Sequence, residues 1–292
     1  MRLTRDVLGA VVLGLAAVGA ASAANISKAS ASSQHRNEAK ATQHLSTSGS
    51  VTFAPGNLGL AATLPANPAL ELSHGYELLQ DLDISTGAQQ GTVADDYAIS
   101  QKPFSSYEAV VDSTSGDIGP TLQVDLIAND GTTVLVSGQA IGVGFSRSLR
   151  FMNNTAAQID DQTVRVASGQ CTTDCGPDDV YFIRGYETTY SVPRFNNSGT
   201  QITVLLLQNP TNYTVTGHIY FWNPSGAQVA DHPFTLTGKQ VLVLNTATEA
   251  PGTAGALTIT NDARYGDLSA KTVALEPATG FSFDSPALPR IK

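Results

Sequence analysis

Val180-Tyr181-Phe182-Ile183-Arg184-Gly185-Tyr186-Glu187-Thr188-Thr189-Tyr190-Ser191-Val192-Pro193-Arg194-Phe195 reads as a last strand, a short bridge and a first strand. Val180–Ile183 is a β-branched and aromatic run reached from a Gly176-Pro177-Asp178-Asp179 turn, the mark of a strand bounded by turn residues. Pro193 restricts Val192 to extended backbone, so the bridge is expected to be extended rather than helical. The residues before this stretch then form one β-module, and those after it form another.

Upstream, the clearest strand is Leu122-Gln123-Val124-Asp125-Leu126, whose alternation turns Leu122, Val124 and Leu126 inward and Gln123 and Asp125 outward. Asn129-Asp130-Gly131 comes next and leads to Val134-Leu135-Val136, a strong hairpin signal. Tyr107–Val111, Leu149–Phe151 and Val164–Val166 supply further strands, and this spacing implies an antiparallel sandwich over residues 51–190. Its opening, Val51–Leu72, is interrupted by Pro55, Pro65 and Pro68 and is expected to lie extended on the module.

Downstream, Gln201–Leu207 is apolar enough after Val204 for a central strand buried on both faces. Thr216–Trp222, Val241–Leu244, Ala256–Ile259, Thr272–Leu275 and Phe281–Phe283 continue at regular intervals, which fits a seven-stranded immunoglobulin-like sandwich over residues 191–292. No window carries a sustained 3.6-residue apolar period with caps, so almost no helix is expected. The fold class is therefore all-β, two antiparallel β-sandwich domains in tandem.

Asp95-Asp96-Tyr97-Ala98-Ile99, Tyr107–Val111, Leu122–Leu126 with Asp130-Gly131-Thr132, Val164–Val166 and Val180–Tyr186 together resemble the successive strands of the bacterial pre-peptidase C-terminal domain, over roughly residues 75 to 190. The chain departs from that pattern at Asp96-Tyr97-Ala98, where an aromatic pair is usual, and in the inserted Cys171–Cys175 loop. The resemblance implies a non-catalytic, jelly-roll-like module of secreted proteins, some of which bind calcium or polymeric substrates. The second half is similar to small immunoglobulin-like sandwich domains of secreted bacterial proteins, through Gln208-Asn209-Pro210 and Ala274-Leu275-Glu276-Pro277-Ala278-Thr279-Gly280-Phe281. That resemblance implies no activity.

Arg2 and Arg5, the apolar run Val7–Ala20 and Ala21-Ser22-Ala23 form the pattern of a secretory signal peptide, residues 1–23. The run falls short of the roughly 20 residues that span a bilayer, so no membrane span is expected in the mature chain. Residues 24–50, rich in Ser, Ala, Thr and Gln, read as a disordered linker, and His35 and His44 in it as solvated side chains. The expected location is secreted, periplasmic or at the cell surface.

Charge divides unevenly. Val51–Tyr190 holds 17 acidic and 5 basic residues (5 − 17 = −12), whereas Ser191–Lys292 holds 6 of each. So acidic a first module repels phosphate backbones, which argues against nucleic-acid binding and favours cations or basic surfaces as partners. Cys171 and Cys175, the only two cysteines, cannot complete a tetrahedral zinc site and read as a local disulfide in an oxidising compartment. Asp174, Asp178 and Asp179 beside that loop offer hard oxygen ligands, so calcium is the one cofactor with a candidate set, although none is required. Solvated turn carboxylates are the plainer reading.

A Gly-x-Ser-x-Gly elbow, an Asp-Thr/Ser-Gly, a His-Glu-x-x-His and a Gly-rich phosphate loop are missing from the sequence. His74, His218 and His232 lie far apart, and the adjacent pairs Asp95-Asp96, Asp160-Asp161 and Asp178-Asp179 read as solvated turn or strand carboxylates. Tyr220 and Trp222 share one strand face, opposite Phe221; exposed they form a carbohydrate-stacking platform, buried they are core. The sequence thus points to an exported, non-catalytic binding or structural-interaction protein whose partner is an extracellular protein or polysaccharide. Its rivals are a carbohydrate-binding protein using Tyr220 and Trp222 and a hydrolase of unrecognised type, which needs two carboxylates, or a histidine and a serine, in one cleft.

Overall fold

The computed structural model describes residues 70–82, 94–115, 122–138, 144–168 and 178–290. All of them fall within one compact unit. The signal pattern, the linker, both cysteines and Asp174 lie outside the described residues.

The first sandwich is built from β1 (Glu77–Asp81), β2 (Ala94–Gln101), β3 (Ser105–Ser113), β4 (Leu122–Ile127), β5 (Val134–Ser137), β6 (Ser146–Asn153), β7 (Ile159–Ser168) and β8 (Val180–Glu187). Its sheets run β1-β8-β3-β6 and β2-β7-β4-β5. β1 pairs with β8, β2 with β7, β3 with β6 and β4 with β5, all antiparallel. That nesting is one long hairpin rolled over on itself, the jelly-roll arrangement. Alternation does the sorting: Tyr97 and Ile99, Leu122, Val124 and Leu126, Val164 and Val166, Tyr181 and Ile183 all face one shared core. Leu72, at the end of the proline-interrupted stretch, is buried in the same core.

The second sandwich contains β9 (Tyr190–Asn196), β10 (Ile202–Gln208), β11 (Val215–Trp222), β12 (Gln228–Leu236), β13 (Val241–Asn245), a one-turn helix α1 (Thr246–Glu249), β14 (Ala254–Asn261), β15 (Ser269–Glu276), β16 (Phe281–Pro286) and the two-residue β17 (Leu288–Pro289). Its sheets run β12-β11-β14-β9-β17 and β13-β10-β15-β16 around Phe195, Leu205, Phe221 and Ile259. The strand order differs from the seven-stranded immunoglobulin one. There the first strand lies beside the second, whereas β9 pairs with β14 and β15 takes the place beside β10. Thr188 and Thr189 are all that separates β8 from β9, and they carry the chain straight into the five-stranded sheet.

Pro193 sits inside β9, where a ladder position would demand the N–H it lacks. The β9–β14 register shifts between Gly255 and Leu257, opposite Pro193 and Arg194, so the irregularity absorbs the missing donor. Gly255 is required there: a Cβ would lie 1.7 Å from the Trp222 carbonyl oxygen. β10 is not buried on both faces, because Val204 and Leu206 on its outer side are only half-buried and their neighbour Val243 on β13 is 65% exposed. Asp160 and Asp161 lie exposed at the start of β7. Among the described residues no helix is long and apolar enough to cross a membrane.

Candidate functional site

β8 points Tyr181, Ile183, Gly185 and Glu187 into the sandwich. The last of these is a carboxylate at the end of the core, 3% exposed, where an unpaired charge would be costly. Two cations meet it: Lys102 Nζ from the β2–β3 turn at 2.5 Å and Arg290 Nε from the C-terminal segment at 2.6 Å. The Glu187 backbone N–H donates to His74 Nδ1 at 3.0 Å. An Nδ1 that accepts is unprotonated, which leaves the ring proton on Nε2.

His74 is placed by a segment that crosses from one sheet to the other. Leu72 N–H donates to the Ala98 carbonyl at 2.8 Å, and Gly75 N–H donates to that of Gly185 at 2.9 Å. Residue 185 must be glycine, since a Cβ would come within 2.9 Å of Leu72 Cδ2 and of the Ser73 carbonyl oxygen. Between this segment and the ends of β2 and β8 lies a cleft of about 270 Å³, with Leu72, Ile99 and Tyr107 among its apolar walls and Glu71, His74, Ser100, Lys102 and Glu187 among its polar ones. The Tyr107 hydroxyl accepts from Lys102 N–H at 2.7 Å, and burial raises its pKa above the ordinary tyrosine value.

Beside the cleft the β14–β15 loop of the second sandwich grips the outer face of the first. The Tyr265 ring stacks on Tyr186, centroids 4.8 Å apart and 7° from parallel, and His74 packs edge-on against both. Tyr265 N–H donates to the buried Glu108 carboxylate at 2.7 Å, and Arg150 donates to the Asp262 carbonyl. Asn261 Nδ2 donates to the Thr188 carbonyl at 2.9 Å, while Thr188 N–H and the Ser106 carbonyl pair at 2.8 Å. The link is thus held from both sides.

The ring pair expected as a platform lies in this junction. Phe104 in the β2–β3 turn, with φ of 49°, sets its ring 4.7 Å from Tyr220 and 4.9 Å from Trp222, centroid to centroid. Tyr220 is 1% exposed, and its hydroxyl is pushed up to about 12, by burial first and by Asp231 second. Trp222 is half-buried, its Nε1–H donating to Thr258 Oγ1 at 3.0 Å. Burial removes Tyr220 as a stacking face, because the two rings do share one strand side but that side meets the first sandwich. His218 stacks on Tyr220 and bonds Asp231 at 2.9 Å, as a structural histidine does.

Asp178 and Asp179 are separated by their environments, the first exposed and the second buried. Their carbonyls serve Ser115 Oγ at 2.7 Å and Leu82 N–H at 3.2 Å. Among the described residues no group of three or more His, Cys, Asp or Glu is placed to hold a metal ion. At the same end of the sandwich the Tyr97 hydroxyl bonds that of Tyr181, which donates to Asp95 Oδ2 at 2.5 Å. Burial raises both phenols well above their ordinary range.

Sequence reasoning does not find the cleft as a site, because the spacing of its lining residues, from 71 to 187, forms no motif. The one signal is Glu187 on the inward side of an alternating strand.

No protein-family model and no curated protein matches the chain. Among solved structures it is similar to a Bacteroides uniformis beta-glucuronidase 2 covalently bound to cyclophellitol-6-carboxylate aziridine, at 10% identity and a TM-score of 0.15, covering 66% of this chain and 26% of that one. A second Bacteroides uniformis beta-glucuronidase gives 11% identity and 0.17, covering 78% and 30%. A glycosyl hydrolase family 2 member from Bacteroides cellulosilyticus gives 9% identity and 0.18, covering 80% and 31%. The chain thus spans less than a third of these enzymes' length, and scores so low carry no argument about activity.

Proposed function

We infer that the chain is an exported, non-catalytic binding or structural-interaction protein in which two sandwiches act as one rigid body. The observation that carries this is Glu187, a buried carboxylate of the first sandwich clamped by Lys102 from its own module and Arg290 from the other. Such a clamp, with a loop stacked across the joint, suits a protein whose task is to hold surfaces in fixed relation for an extracellular protein or polysaccharide. The signal pattern of residues 1–23 supports export.

A hydrolase is the second reading, because the cleft does gather two carboxylates, Glu71 and Glu187, with His74. Against it, Glu187 has both oxygens engaged by cations and no serine nucleophile is bonded to the histidine among the described residues. One experiment addresses both. Expressed in a bacterium, the chain is expected outside the cytoplasm, cut after Ala23 or Ala24, and inert towards glycoside, ester and peptide substrates. An uncut cytoplasmic product overturns export, and turnover abolished by Glu71→Gln overturns the non-catalytic reading.

A further inference from the structure

We propose that the cleft between the 70–76 segment and the ends of β2 and β8 binds a neutral, hydroxyl-rich ring of about the size of one sugar residue. The inference deepens the binding role proposed above and rests on it. At about 270 Å³ the cleft lies just below the usual span of small-molecule sites, roughly 300–1,000 Å³, so its ligand is small. Leu72, Ile99 and Tyr107 offer apolar wall, and the rim is polar.

Charge decides the class. Glu71, Glu187 and Lys102 line the cleft, and Arg290, which is not in the lining, joins Lys102 on Glu187, so that the four charges sum to zero. An anion entering would meet Glu71 and find Lys102 already paired; a cation would meet Lys102 itself. A neutral ligand avoids both conflicts. The bonding capacity left over is also mixed: the Lys102 ammonium has three N–H donors, of which Glu187 takes one, and His74 keeps its Nε2–H. The exposed Glu71 carboxylate only accepts, and its side chain has no hydrogen-bond partner among the described residues. Hydroxyl groups, which donate and accept and turn to suit, satisfy such neighbouring donors and acceptors together.

The test is an NMR titration of the ¹⁵N-labelled mature chain with neutral hexoses and N-acetylhexosamines, with uronates and dipeptides in parallel. Neutral sugars are expected to move the amide signals of Leu72, His74, Ser100 and Lys102. Glu71→Ala is expected to weaken binding about tenfold, the loss of one charged hydrogen bond, without lowering the melting temperature. Glu71→Gln, which keeps the shape, recovers part of it. A short oligosaccharide that binds more tightly identifies a chain end as the ligand, and equal affinity identifies the free sugar. Preference for a uronate or a dipeptide overturns the neutral class. An unresponsive cleft, or unchanged affinity in Glu71→Ala, overturns the site. Neither result touches export or the rigid joint, which are read from fractionation and melting.

Discussion

Tyr181 and Glu187 leave one strand on the same side, and each carries a polar group into the sandwich interior, at opposite ends. Tyr181 takes part in a relay from Tyr97 to Asp95. Tyr181→Phe removes the donor to Asp95 and the acceptor for Tyr97, and is expected to cost about 1–3 kcal/mol in denaturant unfolding at neutral pH. Its pH dependence has a defined sign. The folded pKa of Tyr181 is raised above the ordinary 10.0, so the stabilisation is complete below pH 10 and is lost as pH rises towards the folded value. The wild-type chain should therefore lose stability above pH 10 more steeply than Tyr181→Phe does. Equal slopes would place the alkaline sensitivity elsewhere.

Elements in this molecule are set as much by close approach as by apolar pattern. Gly255→Ala forces a methyl group against the Trp222 carbonyl, an atom of backbone that cannot turn aside. It should cost about 3 kcal/mol, the upper end of overpacking. Gly199→Ala, at φ of 64° with nothing near its Cβ, should cost only the left-handed penalty of about 1–2 kcal/mol. Thermal melts of the two variants decide the order. Such approaches are illegible in the sequence, whereas alternation is plain: Leu122–Leu126 lies in β4, Asn129-Asp130-Gly131 in its turn into β5, and Phe281–Phe283 in β16. β12 escapes a reading by pattern because Asp231, His232 and Pro233 interrupt it; it is an edge strand, where a proline costs little. Strand order in the second sandwich is illegible for a different reason. Periodicity says which face a residue takes and nothing about which strand lies beside it.

At the scale of the whole molecule, the acidic count of the first module suggests a solvated surface, yet Asp95, Glu108, Asp179 and Glu187 are all buried. A sequence gives each carboxylate the same charge, while its role depends on partners brought from far along the chain, as Arg290 is to Glu187. Because that joint is buried and paired, calorimetry of the chain should give one transition with equal calorimetric and van't Hoff enthalpies. Arg290→Ala combined with Tyr265→Ala should divide it into two. Two transitions in the wild type would mean that the sandwiches melt independently.

His74, near the start of the described chain, and Arg290, at its end, both bond Glu187. A segment such as residues 74–290, whose first and last residues meet at one carboxylate, can be spliced into a loop of another protein with little disturbance to its host. The same geometry warns the experimenter: an affinity tag or fluorescent fusion joined directly after Arg290 would start next to Glu187 of the cleft, so the hairpin tip at residues 223–227, joining β11 to β12, is the better place for a label.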